Sequence, residues 1–327
     1  MTVMTRLSVE DLEVHFGHEP QEVQVLHGVS LTIEPGEIVG LVGESGSGKT
    51  VTSLALMGLL DPKNSRVGGR AVLDGSALWD ANGKRIPATE TPLAMVFQEP
   101  MTALDPVFTI GSQLMETLKV RQKMGKKAAR AETLELLDVV GISDPVARMA
   151  AYPHELSGGM RQRVMIAIAL ACAPKLLIAD EPTTAVDVTI QAQLLDLIKK
   201  LAVERSMSVL FVTHDLGVVA ETCSRIITMY AGRVVEGPVR EVLAKPAHPY
   251  TAGLLAALPS QETRGHRLAT IPGRVPAPGQ VVEGCVFAGR CEFVMDQCRQ
   301  PQLLRSVSDH REVRCIRSEE LVLKGAV

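Results

Sequence analysis

GESGSGKT, residues 43–50, sets glycines, a lysine and a threonine at the spacing that cradles a phosphate chain. Gly43, Gly46 and Gly48 let backbone N–H groups turn toward phosphate oxygens, where a side chain would crowd the turn. Lys49 carries a charge to the outer phosphates, and Thr50 offers a hydroxyl to Mg²⁺. LLIADE, 176–181, supplies the matching carboxylates. Asp180, at the end of a buried strand, can hold Mg²⁺ through water, and Glu181 can polarise a water as general base. LSGGMRQR, 156–163, opens a helix with Ser157, Gly158 and Gly159, a second anion-binding end. One nucleotide does not need two such ends from one chain, whereas two chains meeting head to tail would use both.

The elements that must position these residues are legible from pattern. VEDLEVHF and VQVLHGVSLTI read as strands joined by the turn-forming GHEPQE. EIVGLVG, 37–43, is a buried strand feeding the glycine loop, and TVTSLALMGLL, 50–60, a helix closed by Asp61-Pro62. LAMVFQEP, 93–100, is a strand with a loop after it. Residues 110–172 read mostly as helix, from apolar positions three and four apart. KVRQKMGKKAAR within them reads as a solvated face and loop. KLLIADE and SVLFVTH are buried strands around the helix IQAQLLDLIKKLAVER, and IITMYAGRVVEG is a hairpin turning at Ala231-Gly232. HPYTAGLLAALP is a short helix, and 259–284 a Pro/Gly-rich linker. The expected class is α/β, a mostly buried sheet with a helical insertion.

Composition narrows the partners. The 327 residues exceed the usual single-core size, so a large domain with an appendage is expected. A net charge of -3 gives no electrostatic reason for nucleic acid or an anionic membrane as a bulk partner, and 3% aromatics leave few stacking platforms for bases. The N-terminus has no signal-peptide pattern. The longest apolar run, VMIAIALACA at 164–173, falls short of the roughly 20 residues a membrane span needs. The chain therefore reads as soluble, and any spanning as the work of a partner.

GESGSGKT, LSGGMRQR, LLIADE and His214 occur in the order of the ATP-binding-cassette ATPases, and the chain resembles that family. The resemblance implies a P-loop NTPase cassette with a strand-rich N-terminal subdomain, a helical insertion over about 100–170 and a small irregular C-terminal extension. The cassette would take 1–245 and the extension 246–327. It implies ATP and Mg²⁺ as ligands. The loop Gly43, Glu44, Ser45, Gly46, Ser47, Gly48, Lys49, Thr50 and Val51 would wrap the phosphates. Gln98 would touch Mg²⁺ and the attacking water and sense the transporter. Asp187 would couple the two sites, and His214 would contact the terminal phosphate. Phe16 corresponds to the aromatic that stacks on adenine; packing in the core is the other reading of that ring.

Fused membrane helices, coiled-coil arms and a second cassette are all missing from the sequence. That favours a separate ATPase subunit docked on a permease over export, DNA-repair and translation members. FQEPMTALDPVFTIGSQL, PHELSGGMRQR and HPYTAGLLAALP resemble the dipeptide/oligopeptide/nickel importer subunits. The resemblance implies a second cassette subunit, two membrane permease subunits and an external solute-binding protein, at the cytoplasmic face of the cell membrane and without nucleic acid. Met101, Leu104, Val107 and Phe108, after Gln98, fit a groove for a permease helix or pack the helical subdomain onto the core. A non-transport cassette ATPase in regulation or nucleic-acid maintenance, or nickel as solute, is the alternative.

Six cysteines remain. Cys172 and Cys223 read as buried small hydrophobes. Cys285, Cys291, Cys298 and Cys315 are spaced x5, x6 and x16, wider than paired zinc spacings and unlike the ferredoxin run. Residue spacing leaves metal and packing open, and a reducing compartment argues against disulfides. The resemblance implies a [4Fe-4S] cluster on these four cysteines, with zinc as the other metal that four thiolates suit.

Overall fold

Apolar alternation with one interruption explains the first two strands of the computed structural model, β1 (Leu7–Phe16) and β2 (Val23–Ile33). β1 buries Leu7 and Val9, then Leu12 and Val14. The parity changes because β1 bulges between Val9 and Leu12, with Asp11 at φ 48°. The structure describes residues 6–79, 86, 90–183, 187–258, 269–280, 284–308 and 311–325. The chain divides into two units, one of 1–85 with 211–327, the other of 86–210.

In the first unit, β3 (Ile38–Val42) runs into the glycine loop and α1 (Lys49–Met57). α1 stops earlier than expected. Gly58, at φ 69°, adopts the left-handed cap conformation and donates its N–H to Ala55 O, so the stop comes before Asp61-Pro62. β4 (Ser65–Leu73) and β5 (Ser76–Ala77) complete an antiparallel sheet in the order β2-β1-β4-β5.

The second unit pairs β6 (Leu93–Val96) in parallel with a later strand, β7, and sets helices between them. These are α2 (Pro100–Ala103), α3 (Ile110–Gln122), α4 (Lys126–Val139), α5 (Pro145–Met149) and α6 (Gly158–Ala171). Leu114, Leu118, Leu136, Leu137 and Val164 are buried at their helical spacing. The basic stretch ends α3 and begins α4; most of it is exposed, but Arg121 donates to Thr91 O at 2.7 Å. β7 (Leu176–Asp180) and α7 (Val188–Glu204) follow. Every residue of β6 and β7 is buried, which is why both read as unbroken apolar runs. β8 (Ser208–Thr213) then carries the chain back to the first unit.

There α8 (Leu216–Thr222) leads to β9 (Arg225–Tyr230), which pairs in parallel with β3 and antiparallel with β10 (Arg233–Val239). Ala231 and Gly232 turn the hairpin, both at positive φ, as a tight two-residue turn requires. α9 (Pro249–Ala256) realises the expected short helix. A second hairpin, β11 (Arg305–Ser308) and β12 (Arg311–Val313), adds to the edge of β10 and was not legible in the sequence. Of the linker, 259–268 and 281–283 lie outside the described residues, and 269–280 carries no helix or strand. Among the described residues no helix is long and apolar enough to cross a membrane.

Candidate nucleotide site

The buried strand β3 fixes one end of the loop and α1 the other. Gly43 is there for a close approach: a Cβ on it would stand 2.3 Å from Met229 O. Gly48, at φ 103°, begins α1 without a capping side chain. Lys49 is buried, and its Nζ donates to Gly43 O at 2.7 Å and Glu44 O at 3.0 Å. Ser45, Gly46 and Thr50 are exposed, Ser47 is buried, and Val51 is half-buried. Phe16 closes β1, half-buried, in register with Val23. A cavity of ≈ 400 Å³ beside Gly46 is walled by Val23, Gln24, Val25, Arg233 and Pro276. His214 is exposed at the end of β8, in a turn held where Asp215 caps α8 and accepts from Gly217 N at 2.8 Å.

In the second unit the parallel register sets Val96 beside Ala179, so the chain ends beyond both strands meet. Gln98 Nε2 donates to Glu181 Oε2 at 3.1 Å. Glu181 is half-buried at φ 45°, and Asp180 behind it is only 2% exposed. Ser157 caps α6, accepting from Met160 N at 3.4 Å, and Gly158 is exposed. Gly159 lies against α7: a Cβ there would stand 3.0 Å from Ile190 Cγ2. Asp187 caps α7 by accepting from Ile190 N at 3.0 Å, so Ile190 ties the start of α6 to Asp187. Of the apolar residues after Gln98, Met101, Val107 and Phe108 are exposed. Leu104 is buried at 2% and does not belong to an exposed groove.

The four C-terminal cysteines share the first unit as free thiols. Cys285 N donates to Cys298 O at 2.8 Å. Burial above all pushes the thiols of Cys285, Cys291 and Cys315 up, the last to about 11, and the neighbouring cysteines act in the same direction. The expectation of a [4Fe-4S] cluster or zinc finds no support in their placement. Among the described residues, no group of three or more His, Cys, Asp or Glu side chains is set to hold a metal ion. Cys285 and Cys291 instead pack on Tyr230, Val235, Tyr250 and Phe287. Cys172 and Cys223 are half-buried at the ends of α6 and α8, and burial pushes Cys223 to about 12.

Two residues at the loop escaped the sequence reading. Arg290, from the cysteine segment, pairs with the Glu44 carboxylate, and Tyr250 Oη accepts from Glu44 N at 2.8 Å. An arginine between two cysteines was the only available signal, and its partner lies 246 positions away.

Residues 26–184 match the ABC transporter family model, and 235–298 match the oligopeptide/dipeptide transporter C-terminal region. A putative peptide import ATP-binding protein of Brucella ovis is 48% identical over 332 residues, covering 96% of this chain and 98% of that one. The dipeptide transport ATP-binding protein DppD of Escherichia coli is 46% identical, covering 95% and 96%. Among solved structures, a bacterial ABC transporter cassette in dimeric form superposes with TM-score 0.60 at 29% identity, over 70% of this chain and 96% of the other. On these matches over nearly its whole length, the chain belongs to the ABC transporter ATPases, in the oligopeptide/dipeptide transporter group.

Proposed function

We propose that this chain binds and hydrolyses MgATP to drive import of peptides through a membrane permease. The observation that carries the chemical part is the Gln98–Glu181 hydrogen bond at 3.1 Å, which holds a carboxylate at the end of a fully buried strand. Glu181 takes the proton of the attacking water, and Gln98 orients the carboxylate and senses the permease. Lys49 neutralises the outer phosphates, the backbone of 43–51 wraps them, and Thr50, Asp180 and Gln98 hold Mg²⁺. The cavity beside Gly46 has room for the nucleoside half, with Phe16 at its neighbouring strand end.

Ser157, Gly158 and Gly159 serve the nucleotide of a second cassette, identical or homologous, and His214 and Asp187 report the terminal phosphate and the partner site. ATP binding closes the pair and hydrolysis reopens it. Two permease subunits and an external solute-binding protein complete the assembly at the cytoplasmic face of the membrane. Exposed Met101, Val107 and Phe108 support docking of a permease segment. The cassette is assigned to 1–245, with its helical part at about 100–170, and the extension to 246–327.

The test is co-expression with peptide-permease subunits, reconstitution in vesicles and ATP-dependent uptake of labelled dipeptide. Uptake of nickel instead would change the solute; failure to copurify with any permease would refute the transport reading. For the four cysteines, iron and labile sulfide are measured on protein purified without oxygen. Near four of each per chain would support the iron–sulfur reading, and their absence would remove it.

A further inference from the structure

Phosphate binding does not call for the Glu44 side chain, yet all the polar groups of Glu44 are engaged. Its carboxylate accepts from Arg290 Nη1 at 2.6 Å and Nη2 at 3.0 Å. Its N–H donates to Tyr250 Oη at 2.8 Å, and its carbonyl accepts from Lys49 Nζ at 3.0 Å. Two of these partners come from the C-terminal extension, and the third is the lysine that would serve the phosphates.

The grip is rigid. The Arg290 side chain is 7% exposed, unlike a surface ion pair, and its two-pronged geometry fixes both partners. Arg290 Nε donates to Pro272 O at 2.7 Å, and its guanidinium lies 5.7 Å from the centre of the Tyr230 ring. Tyr230, Tyr250 and Phe287 pack together, with ring centres 4.6 to 5.4 Å apart. Two of the chain's three tyrosines are spent there.

We propose that Arg290 and Tyr250 are positioning residues of the phosphate loop, so that the C-terminal extension sets the geometry in which Lys49 meets ATP. A loop held in its binding shape loses less conformational freedom on binding nucleotide. This rests on the reading of 43–50 as the phosphate loop.

The experiment measures ATP KM and kcat, binding of a fluorescent ATP analogue and thermal stability on the full chain. Arg290→Ala should weaken ATP binding about 10-fold, with a smaller change in kcat. Arg290→Lys, which keeps the charge but not the two-pronged grip, should fall between. Combined with Glu44→Ala, Arg290→Ala should add nothing to the Glu44→Ala effect, because both act through one contact. If Arg290→Ala does not fold, Tyr250→Phe removes a single hydroxyl and should still weaken binding about 3-fold. Unchanged KM in a folded Arg290→Ala, or full additivity with Glu44→Ala, would overturn the proposal. Lys49→Ala separates the two readings: it should abolish analogue binding, and normal binding there would overturn the phosphate-loop assignment itself.

Discussion

Acid should unseat the extension at His248. This residue caps α9: its Nδ1 accepts from Tyr250 N at 3.0 Å, and only 1% of it is exposed. A proton can be added only where that N–H already points. Burial, the larger cause, holds its pKa at about 3 rather than 6.5; the Arg314 charge acts the same way, while a hydrogen bond to the Arg314 backbone opposes. The folded state thus refuses a proton that the unfolded chain accepts. Stability from this group is complete above 6.5 and is lost as pH falls toward 3. At pH 5 the loss is 1.5 units at 1.36 kcal/mol each, about 2 kcal/mol. Urea unfolding of the wild type at pH 7.5 and 5.0 reads it. His248→Asn keeps an oxygen at the cap but cannot ionise, so its own pH dependence should be smaller by that amount. Glu236 and Arg311 are present in both proteins, so the difference between them isolates residue 248. An identical pH dependence in the two would refute the argument.

Other outcomes follow from the same geometry. Glu181→Gln should lower kcat by about 10²–10⁴-fold and leave ATP affinity in place, since the amide can still pair with Gln98; steady-state ATPase and nucleotide binding check it. Glu236 is fully buried and accepts from Ala247 N at 2.8 Å, His248 N at 3.0 Å and Arg311. Glu236→Ala should therefore destabilise the fold by about 3–5 kcal/mol in urea unfolding, because it strands Arg311. Phe16→Ala should raise the KM for ATP by about 3–10-fold while keeping kcat, if the ring stacks on the base.

The docking of the extension also explains why its cysteines were hard to read. Spacing alone cannot separate a metal set from packing when the wall they meet is built of distant residues. Tyr230 belongs to β9, Tyr250 to α9 and Phe287 to the cysteine segment. Apolar character says nothing of which distant rings meet. The early end of α1 has a local cause: Gly58 is a better stop than the proline after it. The four apolar residues after Gln98 divide between the two readings, because one-dimensional proximity cannot show that Leu104 turns inward while Met101 and Val107 turn out.

The sequence by itself determined the glycine loop between a buried strand and a helix, the carboxylates at the end of LLIADE and the serine that opens α6. Each depends on chemistry within about ten residues, where backbone geometry and side-chain type suffice. Only the tertiary structure decided that Gln98 meets Glu181 and that Arg290 and Tyr250 hold Glu44. Those contacts bridge 83, 246 and 206 positions, set by strand register and by the packing of three aromatic rings. No local preference encodes such distances; they follow from which buried faces fit one another.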